Sequence, residues 1–129
     1  MKKLAVITLI VLVVASIGCA KGYEVTKNAG EYSVSLKMEK STPTVGDNLV
    51  MIAVKDATGK PVTDASITVE YSMPAMPGMP AMNYSTEAAS HGTEYHATLN
   101  FSMPGAWNIA VKITRAEKTE TVNFNVDAR

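Results

Sequence analysis

The chain has 129 residues, with 12 lysines and arginines against 12 aspartates and glutamates and a formal net charge of zero. These charges are scattered, with no long block of one sign, so there is no electrostatic reason to bind nucleic acid or an anionic surface. Cys19 is the only cysteine, which excludes an intrachain disulfide.

Residues 1–18 read as an export signal. Met1, Lys2 and Lys3 make a basic start, and Leu4 to Ile17 is an uncharged apolar run. At about 14 residues it is short for a membrane span and suits a signal-peptide core. Ala15-Ser16-Ile17-Gly18-Cys19 resembles the lipobox of bacterial lipoproteins, in which cleavage before the cysteine is coupled to acylation of its sulfur. Cys19 is the expected lipidation site, which makes this an exported, membrane-anchored lipoprotein of the cell envelope. An ordinary secretory signal or an uncleaved anchor are the alternatives. Removal of residues 1–18 leaves the length of one domain, with a net charge of about −2 once Lys2 and Lys3 are gone.

Residues 19–30 are polar, contain glycine and lack a period, as expected of a tether between a lipid and a folded domain. Residues 31–129 are the expected domain. Tyr32, Val34, Leu36 and Met38 alternate with polar residues, and 42–47 supplies turn chemistry. Leu49 to Val54 is nearly continuous apolar and predicts a strand buried on both sides or at the sandwich centre, with Met51 in the core. After a loop at 56–61, Ile67, Val69, Tyr71 and Met73 alternate, which assigns Met73 to the core. A weaker strand over 83–88 is interrupted at Ser90-His91-Gly92. Tyr95, Ala97, Leu99 and Phe101 then share one face, as do Trp107, Ile109, Val111 and Ile113, and Val122, Phe124 and Val126 close the series. About seven short strands without a helical period predict an all-β, antiparallel, immunoglobulin-like β-sandwich, with Trp107 as its central aromatic.

Between two of these strands stands MPAMPGMPAM at 73–82, with Met73, Met76, Met79 and Met82 at a three-residue interval. Each Met-Pro step disfavours the α region for the methionine and fixes φ for the proline, which biases the run toward polyproline II. At three residues per turn the four thioethers would project from one edge. Such a row is either a site for a soft metal, Cu(I) above all, or an adaptable apolar contact surface.

The stretch KDATGKPVTDASITVEYSMPAMPGMPAM from Lys55 to Met82, with EYHATLNFSMPGAWNIAVKI from Glu94 to Ile113, resembles the YtkA-like family, which is related to the FixH proteins. The likeness covers about residues 30–127. It implies a small immunoglobulin-like domain outside the cytoplasm, often lipid-anchored, found in connection with copper handling, heavy-metal efflux and oxidase assembly. A membrane metal-efflux or oxidase-assembly complex is the partner that the resemblance implies.

Thioether sulfur is neutral, needs no deprotonation and suits Cu(I) in an oxidising compartment. A straight polyproline II segment advances about 9 Å per turn, so convergence on one ion requires a bend. Gly78 is the hinge that permits it. Met76, Met79 and Met82 are the candidate ligands, with Met103, His91 and His96 in the following hairpin able to complete the site. The core set Tyr95, Ala97, Leu99 and Phe101 puts His96 on the opposite, outward face. Each has a plainer alternative: a turn residue for His91, a solvent-facing side chain for His96, a Met-Pro-Gly turn for Met103, and a stiff packing loop for the methionine run.

No nucleophile elbow, phosphate-cradling glycine loop or His-Glu-x-x-His pair is present, so no enzymatic activity and no catalytic residue is expected. Two readings stand: a lipoprotein that binds Cu(I) through the methionine loop, and a metal-free module that docks a membrane complex through its Met-Pro edge.

Overall fold

The computed structural model describes residues 23–129. The expected signal segment, residues 1–18, and the expected lipidation site Cys19 lie outside the described residues. Eight strands follow one another: β1 (Tyr23–Ala29), β2 (Tyr32–Met38), β3 (Gly46–Lys55), β4 (Ser66–Met73), β5 (Met82–His91), β6 (Glu94–Phe101), β7 (Gly105–Arg115) and β8 (Lys118–Ala128). There is no helix among the described residues. The architecture is the antiparallel β-sandwich expected from the alternation, with eight strands rather than about seven.

The added strand is β1, which occupies most of the expected tether. Its partners run from Tyr23 opposite Met38 to Ala29 opposite Tyr32. Tyr23 and Val25 pack partly against the core and Ala29 is buried, while Glu24, Thr26, Lys27 and Asn28 face solvent. An edge strand with so few apolar residues resembles a linker in sequence and gains its order from a ladder the sequence does not display.

The hydrogen-bonded order is β1-β2-β3-β6-β5-β4-β7-β8, antiparallel throughout. Strands β4, β5 and β6 form a meander, and β7 returns beside β4, which is a Greek-key arrangement. Strand β5 joins the two layers. Its Met82–Ala88 part pairs with β4, whereas Ala89–His91 pairs with β6. The outer strands β1 and β8 approach one another through Tyr23 Oη, which donates to the Asn125 carbonyl at 3.2 Å, and Lys27 Nζ, which donates to the Asn123 carbonyl at 2.8 Å.

Val34, Leu36, Val50, Ile52, Leu99, Phe101, Trp107, Ile109, Val111, Ile113 and Phe124 form the fully buried centre. Each residue of this kind contributes about 1.5–3 kcal/mol by leaving water. Strand β3 departs from the sequence reading. Val50, Ile52 and Val54 are buried, but Leu49 is exposed and Met51 and Ala53 are half-buried, so only one face is covered. Met51 is therefore an outward residue and not core. The apolar composition of its neighbours hides an ordinary alternation, because sheets open to water on one side can still carry apolar residues there. Strand β5 is also longer than expected: His91 is its last residue, and the turn falls on Gly92-Thr93.

Candidate metal centre

The methionine run is not a straight polyproline edge. Met76 N–H donates to the Met79 carbonyl at 3.0 Å, and Met79 N–H donates to the Met76 carbonyl at 2.8 Å. The two residues thus form an antiparallel bridge closed by Pro77 and Gly78. Gly78 has φ of +83°, and proline at the first central position with a positive-φ glycine at the second are the features of a type II turn. This turn matches the twist of flanking strands poorly, and pairing lapses before it resumes at Met73 opposite Met82. Gly78 is the predicted hinge, and the bend converts a row of four sulfurs into two facing pairs, Met76 with Met79 and Met73 with Met82.

The pairs have different environments. Met73 is 2% exposed, and its methyl group packs where a Cβ on Gly105 would stand, 3.0 Å away. Met82 is half-buried against the core, and its sulfur lies 3.5 Å from Ser102 Oγ and 3.9 Å from Tyr84 Oη, both positioned to donate weakly to it. Met76 and Met79 are 42% and 40% exposed. Residues that exchange both backbone hydrogen bonds place their Cα atoms about 5.5 Å apart with side chains on one face. Two flexible thioethers at that spacing can close on one soft cation, and neither must leave the core to do so.

Beneath the hairpin lies an aromatic floor. Tyr84 stacks on Tyr71 at a centroid distance of 5.3 Å, and Tyr71 meets Phe101 edge-on at 5.9 Å. Trp107 packs against Phe101 at 5.2 Å, and its indole N–H donates to the Met103 carbonyl at 3.0 Å. Met103 therefore sits in the β6–β7 loop at the same end as the hairpin, half-buried on the core. The Tyr71 hydroxyl accepts from Asn100 N–H at 3.3 Å, satisfying a backbone donor of β6 where that strand has parted from β5. Tyr71, Tyr84 and Ser102 escaped sequence reasoning, although Pro77-Gly78 as a turn centre would have assigned Met76 to Met79 and Met73 to Met82.

His91 and His96 do not join this group. Strand β5 runs 10 residues from Met82 to His91, and His96 stands opposite Ala89, which at about 3.3 Å per residue puts the histidines roughly 20–30 Å from Met82. They stand together on the outer face at the opposite end, with ring centroids 4.3 Å apart and planes at 83°. Glu94 Oε2 lies 3.6 Å from His96 Nε2, and Glu94 Oε1 lies 3.8 Å from Lys37 Nζ. Met51 is the cross-strand partner of His96 on β3. The sequence reading combined six ligands; the structure divides them into a sulfur set and a separate nitrogen pair. Among the described residues, no three or more His, Cys, Asp or Glu side chains converge as a metal site.

A family model described as YtkA-like matches residues 26–112. No curated protein matches the chain in sequence. Among solved structures, the soluble domain of PmoD from Methylocystis sp. ATCC 49242 (Rockwell) superposes with a TM-score of 0.54 at 12% identity, covering 81% of this chain and 96% of that one. At this identity the likeness is one of fold.

Proposed function

Because the chain belongs to the YtkA-like family, we propose that it is an extracytoplasmic, Cys19-anchored lipoprotein that holds Cu(I) as cargo on its methionine hairpin, in copper handling or oxidase assembly. The observation that carries this reading is the Met76–Met79 pair, two exposed thioethers brought face to face by the Pro77-Gly78 turn. Soft thioether ligands select Cu(I) over the harder divalent ions, and their neutrality leaves the affinity free of ligand deprotonation. Met82 stands at the base of the same hairpin, and Met103 in the adjoining loop supplies a fourth sulfur at that end. The histidine pair is too distant to share the ion. No residue in this arrangement is assigned a catalytic role.

The test is an anaerobic Cu(I) titration of residues 20–129, which contain every described strand, against a chromogenic Cu(I) chelator. Stoichiometric uptake that is lost in a Met76→Leu/Met79→Leu variant is the expected result, since the replacement keeps volume and removes sulfur. Equal uptake by parent and variant would sink the proposal and favour the second reading, a metal-free docking edge. That reading draws on the same exposure of Met76 and Met79, and it predicts that Leu preserves and Gln destroys the contact with a membrane partner.

A further inference from the structure

Among the described residues, the large apolar side chains left exposed are Val45, Leu49, Met76, Met79 and Tyr84. All five gather at one end of the sandwich. Val45 precedes β3, Leu49 and Tyr84 lie within the first residues of β3 and β5, and the two methionines are in the β4–β5 loop. The registers of β3 with β6, β4 with β5 and β7 with β8 bring the start of one strand beside the finish of the next at this end. The opposite end, made by the loops at 30–31, 56–65, 92–93 and 116–117, carries exposed Glu31, Lys60, Asp64 and Glu117. None of the five apolar residues is there.

Strand β1 begins at the methionine end. Tyr23 is opposite Met38, the last residue of β2, and its hydroxyl reaches Asn125, close to the finish of β8. Cys19 precedes Tyr23 by only Ala20, Lys21 and Gly22. Four residues span at most about 14 Å even when fully extended, which is too little to admit a second folded domain between the anchor and the sandwich. The hairpin, for its part, reaches up to about 10 Å beyond the Met73–Met82 pair at the rise of a strand.

We propose that the methionine end is a bilayer-contacting surface, with the sandwich standing end-on over the membrane and Val45, Leu49, Met76, Met79 and Tyr84 against its interfacial layer. This inference rests on the acylation of Cys19 proposed above. The acyl chains on Cys19 supply the attachment, and an apolar rim beside the attachment point adds buried apolar area that fixes which end of the sandwich faces the bilayer. Tyr84, with an apolar ring and a polar tip, is suited to the headgroup level. Charges of both signs flank the rim, Glu39, Lys40, Asp47 and Arg129, so the contact is apolar and does not select anionic lipid. A cargo ion on Met76 and Met79 is then held at the membrane surface and not in open solution.

The test uses the full chain, processed by a lipoprotein-competent host and reconstituted into phosphatidylcholine vesicles. A fluorophore is placed on a single new thiol, Ala81→Cys beside the hairpin or Thr93→Cys at the far end; acylated Cys19 offers no competing thiol. Brominated acyl chains should quench the Ala81 probe several-fold more than the Thr93 probe, and adding anionic lipid should not change the ratio. Val45→Ser/Leu49→Ser should lower the ratio without releasing the protein. Equal quenching at the two sites on vesicle-bound protein would overturn the orientation while leaving the anchor intact. Failure of the unmodified chain to float with vesicles would remove the anchor and the inference together. Quenching at Ala81 that requires an added membrane protein would replace the bilayer by a protein partner.

Discussion

The two ends of this sandwich put side chains to opposite uses. At the methionine end, apolar residues stay exposed around an aromatic cluster that is buried except for Tyr84, and the hairpin that carries Met76 and Met79 is closed by their two backbone hydrogen bonds. At the histidine end, the exposed surface is charged, and His91, His96 and Glu94 stand on a continuous ladder of β3, β6 and β5. Thioethers carry no proton to lose, whereas a histidine must be neutral to ligate, so the two ends offer soft and borderline donors under different rules. The separation of roughly 20–30 Å means that they cannot act on one ion.

The largest expected effect falls on the floor of the methionine end. Trp107→Ala should cost about 3–5 kcal/mol of stability in urea unfolding, because it empties the centre of the aromatic cluster. A loss below about 1 kcal/mol would show that the floor is not what supports this end. Next, Met76→Leu/Met79→Leu should weaken Cu(I) binding by at least about tenfold, equivalent to about 1.4 kcal/mol, while His91→Ala/His96→Phe leaves it unchanged. A Cu(I) defect in the histidine variant would erase the distinction between the ends. Gly78→Ala should destabilise by about 1–2 kcal/mol through the positive φ alone, since a Cβ there meets nothing within 4 Å. Its Cu(I) affinity should fall as the Met76–Met79 bridge opens, measurable in the same titration.

The smallest effect belongs to the far end. Asp56 accepts from the Thr58 hydroxyl at 2.6 Å and from the backbone N–H of Lys60 and Thr58, which holds its carboxyl below the ordinary aspartate range. Its contribution is present above the unfolded-state value and disappears as pH falls through the lower folded one. The protection of the Thr58 and Lys60 amides, taken relative to the intrinsic exchange rate at each pH, should therefore fall in acid, and Asp56→Asn should remove part of this dependence without touching Cu(I) binding. An acid response unchanged in that variant would assign it to another group.

The alternation Tyr32-Val34-Leu36-Met38, and its counterparts ending in Met73, Phe101, Ile113 and Val126, made most of the fold legible from the order of residues. Period-two burial is written directly into such strands. It failed for Met51, where apolar residues on the open face imitate a doubly buried strand, and for β1, whose order comes from pairing with β2. For the candidate site, the four methionines and the bend at Gly78 could be read beforehand. Their pairing could not, because it depends on which turn Pro77-Gly78 adopts between two registered strands.

Residue order alone determined the strand periodicity and the soft chemistry of the Met-Pro run, since each is a local property of neighbouring side chains. The distribution of Met76 and Met79 to one end and His91 and His96 to the other was decided by the folded topology. So was the return of β1 to the methionine end. Both follow from antiparallel register across eight strands, a long-range constraint that no local pattern encodes.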